Sequence, residues 1–344
     1  MNRILGVATA VFVVGGITAA AADISISGDS RFRYETWADD KKDPVGGGDN
    51  NSQFGEVLEV WVKADMIADS GLEYGVGTRL RSKSSAKVVD DKVSVRTVDR
   101  NYIYLRDDWG QIKLGDDWSA NYAMSLGADW RGTGAGALTS TPAYAGDTTA
   151  PKSTYQSTSG KARKFIYYTP NIGGFKAGFS YADAGSAAKT DFTSYAFTYN
   201  FDLMDGNGVR FGYGAEKQDE TASDADDEKT LSQFGVEANI GAILFSVVSL
   251  TEETGKRAKG TGTEYEFAYD ISEETLVNLV HIDTKQDKGT NSGDEYTATQ
   301  FGVDYEAVPG LKLGLVHTLF DGTAVNNREN SDGNATRLQV RLNF

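Results

Sequence analysis

From residue 23 onward, apolar and polar side chains alternate in about sixteen stretches separated by polar, glycine-containing breaks. The last stretch is the clearest. Leu338, Val340, Leu342 and Phe344 fall on one face, and Arg337, Gln339, Arg341 and Asn343 on the other. A period of two predicts half-exposed β-strands. They run over 23–37, 53–67, 72–84, 94–106, 111–115, 162–169, 174–183, 191–202, 208–217, 231–240, 242–252, 262–271, 275–285, 295–306, 310–320 and 335–344. The register before Asp99 is not readable from the pattern.

The connections alternate in length. Short ones lie at 68–71, 107–110, 170–173, 203–207, 240–241, 272–274 and 307–309. Long ones lie at 38–52, 85–93, 117–161, 184–190, 218–230, 253–261, 286–294 and 321–334. Short turns at one end, long loops at the other and an even strand count are the pattern of a transmembrane barrel. An open sheet would leave unpaired edges in hydrocarbon. The expected fold is all-β, a 16-stranded antiparallel transmembrane β-barrel of an outer membrane, in contact with outer-membrane lipid and lipopolysaccharide.

The remaining sequence features fit that environment. Residues 1–22 read as a cleaved secretory signal, with Arg3, an apolar run over Ile4 to Ile17 and Ala20-Ala21-Ala22 at the cut. Residues 23–344 then form a single barrel domain. No later segment has 18 consecutive apolar residues, so no helix would span. With no cysteine, an exported chain holds its fold without disulfides. Tyrosine (17) and phenylalanine (16) suit strands and membrane interfaces, while proline, which breaks ladders, is scarce at 5. Tyr34, Phe54, Trp109 and Phe344 are among the aromatics placed near strand ends. The formal charge of −15 argues against nucleic acid as a partner; it reads either as a solvated acidic surface or as an acidic vestibule that gathers cations.

Sixteen strands about 4.8 Å apart and tilted by roughly 40° close into a cylinder about 30 Å across. An open tube of that width would leak large solutes. The stretch 117–160 is the longest without alternation and is the candidate constriction, a loop folded into the lumen. Asp116, Asp117, Asp129 and Asp147 make this segment acidic, with Arg131 and Lys152 as its few bases. Opposite it, the early strands carry a basic set at inward parity: Arg31, Arg33, Lys63, Arg79, Arg81 and Arg100. A base in the lipid-facing band would cost several kcal/mol, about 2–4 at mid-depth. An acidic loop facing a basic wall would set a transverse field across the pore. In the plainer alternative these bases only solvate the lumen or pair with Glu35, Glu59 and Glu73.

Other chemistry is poorly supplied. His281 and His317 have no neighbouring histidine and no metal spacing, so neither a catalytic nor a metal site is expected. Gly132, Gly134 and Gly136 follow no strand–helix pattern and make no phosphate cradle. The acidic loops 38–50 and 218–229 could hold Ca²⁺ through clustered carboxylates but match no defined calcium spacing. No cofactor is therefore expected. A soluble β-protein would need a dry core, which the charged inward faces deny.

The chain resembles the Gram-negative general porin family along its whole length after the signal. The resemblance rests on the signal, the opening Asp23-Ile24-Ser25-Ile26-Ser27-Gly28, and the block Tyr102-Ile103-Tyr104-Leu105 followed by Trp109-Gly110-Gln111-Ile112-Lys113-Leu114-Gly115. After the long loop come Phe165-Ile166-Tyr167-Tyr168-Thr169-Pro170 and Gly174-Phe175, and the chain ends on Phe344. It implies a homotrimer of 16-stranded barrels, each narrowed by its third external loop. It implies passive diffusion of small hydrophilic solutes, and recognition of Phe344 by the barrel assembly machinery. Where some members carry Pro-Glu-Phe-Gly-Gly in that loop, this chain has Asp129-Trp130-Arg131-Gly132-Thr133-Gly134. A weak cation preference is expected. A solute-specific channel for sugar or phosphate is the alternative; it would want aromatic tracks or a dense basic lumen, and here bases are mixed with acids.

Overall fold

The computed structural model describes residues 22–39, 52–85, 95–126, 148–151, 153–154, 156–183, 190–219, 228–255, 258–326 and 330–344. The expected signal over 1–22 therefore lies outside them, apart from its last residue. So do most of the acidic loops at 38–50 and 218–229.

Sixteen strands pair antiparallel, each with its neighbours in sequence, and the first pairs with the last to close a barrel. They are β1 (Asp23–Asp39), β2 (Ser52–Ile67), β3 (Glu73–Ser85), β4 (Val95–Asp107), β5 (Gly110–Asp116), β6 (Arg163–Tyr168), β7 (Phe175–Asp183) and β8 (Asp191–Asp202). The rest are β9 (Gly208–Gln218), β10 (Lys229–Ile240), β11 (Ile243–Thr254), β12 (Ala258–Asp270), β13 (Thr275–Lys288), β14 (Glu295–Val308), β15 (Leu311–Thr323) and β16 (Ser331–Asn343). Closure runs from Asp29↔Asn343 to Asp39↔Gly333. Gly28 and Phe344 finish it with a reciprocal pair of backbone hydrogen bonds, 2.8 and 3.0 Å. Every ladder edge in the hydrocarbon is thereby paired.

The outward face carries the apolar alternates. Phe179, Tyr195, Phe211, Phe234, Phe267, Phe301 and Leu338 are all exposed, forming a belt for lipid. Tight turns sit where glycine permits a left-handed backbone, as at Gly71 (φ 90°) and Gly110 (φ 114°). A side chain at Gly110 would also meet the Tyr168 carbonyl oxygen at 2.2 Å.

The structure differs from the sequence reading in four respects. Several strands run further toward the long loops. β12 begins at Ala258 rather than 262, and β16 at Ser331 rather than 335. Above the membrane the outward face also meets water, as the polar Lys259, Thr261, Asp287 and Asp332 show, so alternation fades while the ladder continues. Second, the unreadable register before Asp99 is a bulge. Arg79 pairs with Arg100, but Arg81 pairs with Arg96. The extra residues break the period of two. Third, the stretch after β5 is not irregular throughout, because Ala120–Met124 forms a short helix, α1. Finally, the inward face is not polar everywhere. Val280, Ile282, Tyr296, Ala298, Phe320 and Ala335 make a dry cluster joined by Ala150, with Trp37 packed against it.

Candidate pore constriction

The bulge in β4 builds the densest part of the charged wall. It turns Asp99 toward the same side as Arg100 and Arg79. Arg79 donates to both Asp99 oxygens (2.7 and 2.5 Å) and to Glu59 (3.0 Å). Arg81 lies 2.8 Å from Glu59 and 3.8 Å from Asp99. Lys161, from the far end of the long segment, also bonds Asp99. Burial pulls the Lys161 ammonium below its ordinary pKa, against the opposing pull of that bond. Two carboxylates thus answer Arg79, Arg81 and Lys161, with Arg31 a fourth cation at 4.0 Å from Glu59.

Aromatic rings interleave with the bases. The Arg100 guanidinium lies 5.3 Å from the Trp61 ring and 5.7 Å from that of Trp118. Arg79 and Lys63 also lie over Trp61, at 5.5 and 5.8 Å. Trp118 stacks on Tyr122 at 3.9 Å and carries Lys161 at 5.0 Å. Guanidinium and ammonium groups over indole faces are attractive by up to about 1 kcal/mol each where solvent reaches them. The rings thus hold long side chains in place without neutralising them.

The expected site residues separate into groups. Arg79, Arg81 and Arg100 form one cluster with Glu59, Asp99 and Asp117, as Arg100 lies 3.6 Å from Asp117. Arg31 bonds Asp29 and lies 4.0 Å from Glu59. Arg33 donates instead to Gln339, at 2.6 Å. Lys63 shares the inward parity but is exposed. Asp117 also bonds Lys113 at 2.9 Å. Asp116 does not join these groups. It is the last residue of β5, on the outward parity of Leu114, and faces Arg163 across the ladder at 3.6 Å. Placing it in the acidic loop set the strand end one residue too early. Asp129 and Asp147 lie outside the described residues. Of the supposed acid partners, Glu35 takes Arg337 (2.7 Å), while Glu73 takes Arg106 near the turn, apart from the cluster.

Across the barrel the inner wall is of another kind. There α1 sits on a groove of glycines. An added Cβ would meet Met124 at 2.7 Å from Gly178 and Asn121 at 2.0 Å from Gly214. From both Gly212 and Gly235 it would meet Leu126 at 2.9 Å. Ser180 and Ser194 accept from the backbone N–H groups of Ala120 (3.1 Å) and Asn121 (2.8 Å). The returning part, 148–162, continues the contact. Thr149 donates twice to Asp294, Thr154 donates to Glu264 (2.9 Å), Gln233 donates to the Thr154 carbonyl and Thr284 to that of Pro151. The side chains of this wall, Ser180, Ser194, Gln233, Glu264, Thr284 and the loop residue Asp294, are all buried. Asp99, Glu216 and Lys164 escaped the sequence reading: Asp99 because of the bulge, the others because an isolated inward charge looks like any other polar alternate. One signal was present for Glu216, which follows the crowded Gly212 and Gly214 on the same face.

A closed sixteen-stranded barrel with an apolar outer belt and a charged inner wall defines an outer-membrane channel protein. A profile of Gram-negative porins matches residues 7–325, and the chain belongs to the Gram-negative porin family. Solved structures share its fold. A loop L8 deletion mutant of OmpT, an outer membrane protein of Vibrio cholerae, superposes with a TM-score of 0.67 at 13% identity. A mutant of the porin of Rh. blastica does so at 0.63 and 15%. The anion-selective porin from Comamonas acidovorans does so at 0.61 and 15%. Each comparison covers 94% of this chain and 100% of the other. No curated protein matched the sequence.

Proposed function

We propose that this porin lets small hydrophilic solutes and ions diffuse passively, and that the 117–160 segment narrows its bore. One observation carries the reading. Both described ends of that segment bond to buried wall residues on the face opposite the lipid belt, from Ser180 on β7 to Thr284 on β13. Those contacts favour a segment lying inside the cylinder, with Asp117 turned to the basic wall. Arg31, Arg33, Lys63, Arg79, Arg81 and Arg100 line one side of the narrowing; Asp117, with Asp129 and Asp147, lines the other. Asp116 is left out.

A weak cation preference goes with this reading, because carboxylates answer most wall bases and the chain as a whole is acidic. The neighbour from Comamonas is anion-selective, so the fold alone does not fix the sign. The reading also takes residues 1–22 as a removed signal, Phe344 as the assembly signal and a homotrimer as the working form. Planar-bilayer recording tests it. Ohmic steps grouped in threes, with a reversal potential of cationic sign, are expected. Folded protein without conductance would point to a plugged or solute-specific barrel.

A further inference from the structure

Two buried charges meet both ends of the long segment at one place. Glu216, on β9, is 1% exposed. Its carboxylate accepts from Ser119 Oγ (2.8 Å), Ser157 Oγ (3.0 Å) and Ser159 N (2.8 Å). Lys164, on β6, is 4% exposed. Its Nζ donates to the carbonyls of Asp117 (2.9 Å), Gly160 (2.8 Å) and Ala162 (3.1 Å). Ser119 and Asp117 belong to the outgoing end, and Ser157, Ser159, Gly160 and Ala162 to the returning end. Three donors thus converge on the anion and three acceptors on the cation, and each set is drawn from both ends.

Burying a full charge is costly unless its hydrogen bonds are satisfied. A wall position that needed only polarity would be served by serine, as Ser180 and Ser194 serve α1. A charge that meets three loop groups fixes their geometry more tightly, because charge-assisted bonds are about twice as strong as neutral ones.

We propose that Glu216 and Lys164 are the positioning residues of the pore: they clamp the two ends of the 117–162 segment to each other and to the wall, and so give the channel one stable width. This rests on the reading that the segment narrows the bore.

The test is single-channel recording of the full chain, wild type against Glu216→Gln and Lys164→Met, with polyethylene glycols of graded size as pore probes. Each variant is expected to form a closed barrel that leaves its main conductance level about tenfold more often, the change that losing one charge-assisted hydrogen bond produces. A reversible repair separates positioning from general structure. Ser119 Oγ and Ser157 Oγ lie 3.4 Å apart, and the chain has no cysteine of its own. Adding S119C and S157C to E216Q should restore a steady level when oxidised and lose it again in dithiothreitol. Should E216Q fail to insert, K164M with the same cysteine pair carries the test. Steady variants beside a wild type that excludes small polymers would overturn the clamp alone, as would substates that persist after oxidation. A wild type that admits large polymers would overturn the constriction itself, and the clamp with it.

Discussion

The inner wall of this barrel has two characters. On β1–β5 it is a web of guanidinium, carboxylate and indole groups, many only half-buried, with Arg31, Arg81, Arg100 and Trp61 still reached by solvent. From β7 to β14 much of it is small, neutral or apolar and shut off from solvent, as at Gly178, Ser194, Gly214, Gln233, Val248, Ala268, Val280 and Tyr296, with the buried acids Glu216, Glu264, Glu266 and Asp304 set among them. Both stretches use the same ladder and show lipid the same outward belt. The backbone sets neither character. A wall that must meet passing water and ions keeps its charges solvated and mutually paired. A wall that must hold a segment is cut to the shape of that segment, with glycines where it comes close and single polar groups where its backbone needs a partner. Glu216 on this wall and Lys164 on β6 at its edge are full charges that the two ends of the loop satisfy.

Substitutions can break this contrast from either side. Asp99→Ala should have the largest effect. It leaves Arg79 and Lys161 without their shared carboxylate in a site where Asp99 is almost wholly buried, at a cost of about 3 kcal/mol. A lowered urea midpoint in detergent would register it. Gly235→Leu should come next. Its side chain claims the space of Leu126, and overpacking of this kind costs about 1–3 kcal/mol. Conductance should change along with stability, because the loop has to move off the wall. Arg100→Gln removes a cation held between two indoles and near Asp117, worth about 1 kcal/mol at this exposure. Its clearer sign is a reversal potential shifted toward cations. The smallest effect should be that of Arg163→Ala. Its pair with Asp116 is exposed and on the outward parity, so conductance and selectivity should match wild type. A change there as large as that of Arg100→Gln would put Asp116 back in the pore.

Much of the barrel was legible because a membrane imposes a period of two on every strand. Leu338 to Phe344 and Phe197 to Phe201 could hardly be read otherwise. Legibility ended where that period stopped. The bulge before Arg100 scrambled the alternation and hid Asp99, the carboxylate that organises the charged wall. Above the membrane the selection for outward apolar groups lapses, so the ends of β12, β13 and β16 were drawn short. The basic wall could be predicted because charge is excluded from the lipid face. Which acids would answer it could not, since pairing depends on strand register: Glu59 and Asp99 take Arg79, whereas Glu73 lies beside the turn with Arg106. The docking wall was the least visible. Its glycines read as crowding, and only the structure shows that Leu126, Asn121 and Met124 fill the space.

Polymer exclusion on the wild-type channel tests the central claim most directly. Conductance is recorded while polyethylene glycols of increasing size are added, and the size at which they cease to reduce the current marks the narrowest point. A segment clamped to one wall opposite a charged one predicts a cut-off far below the ~30 Å backbone diameter of a sixteen-stranded cylinder. Polymers entering as freely as they would an unobstructed barrel would contradict it.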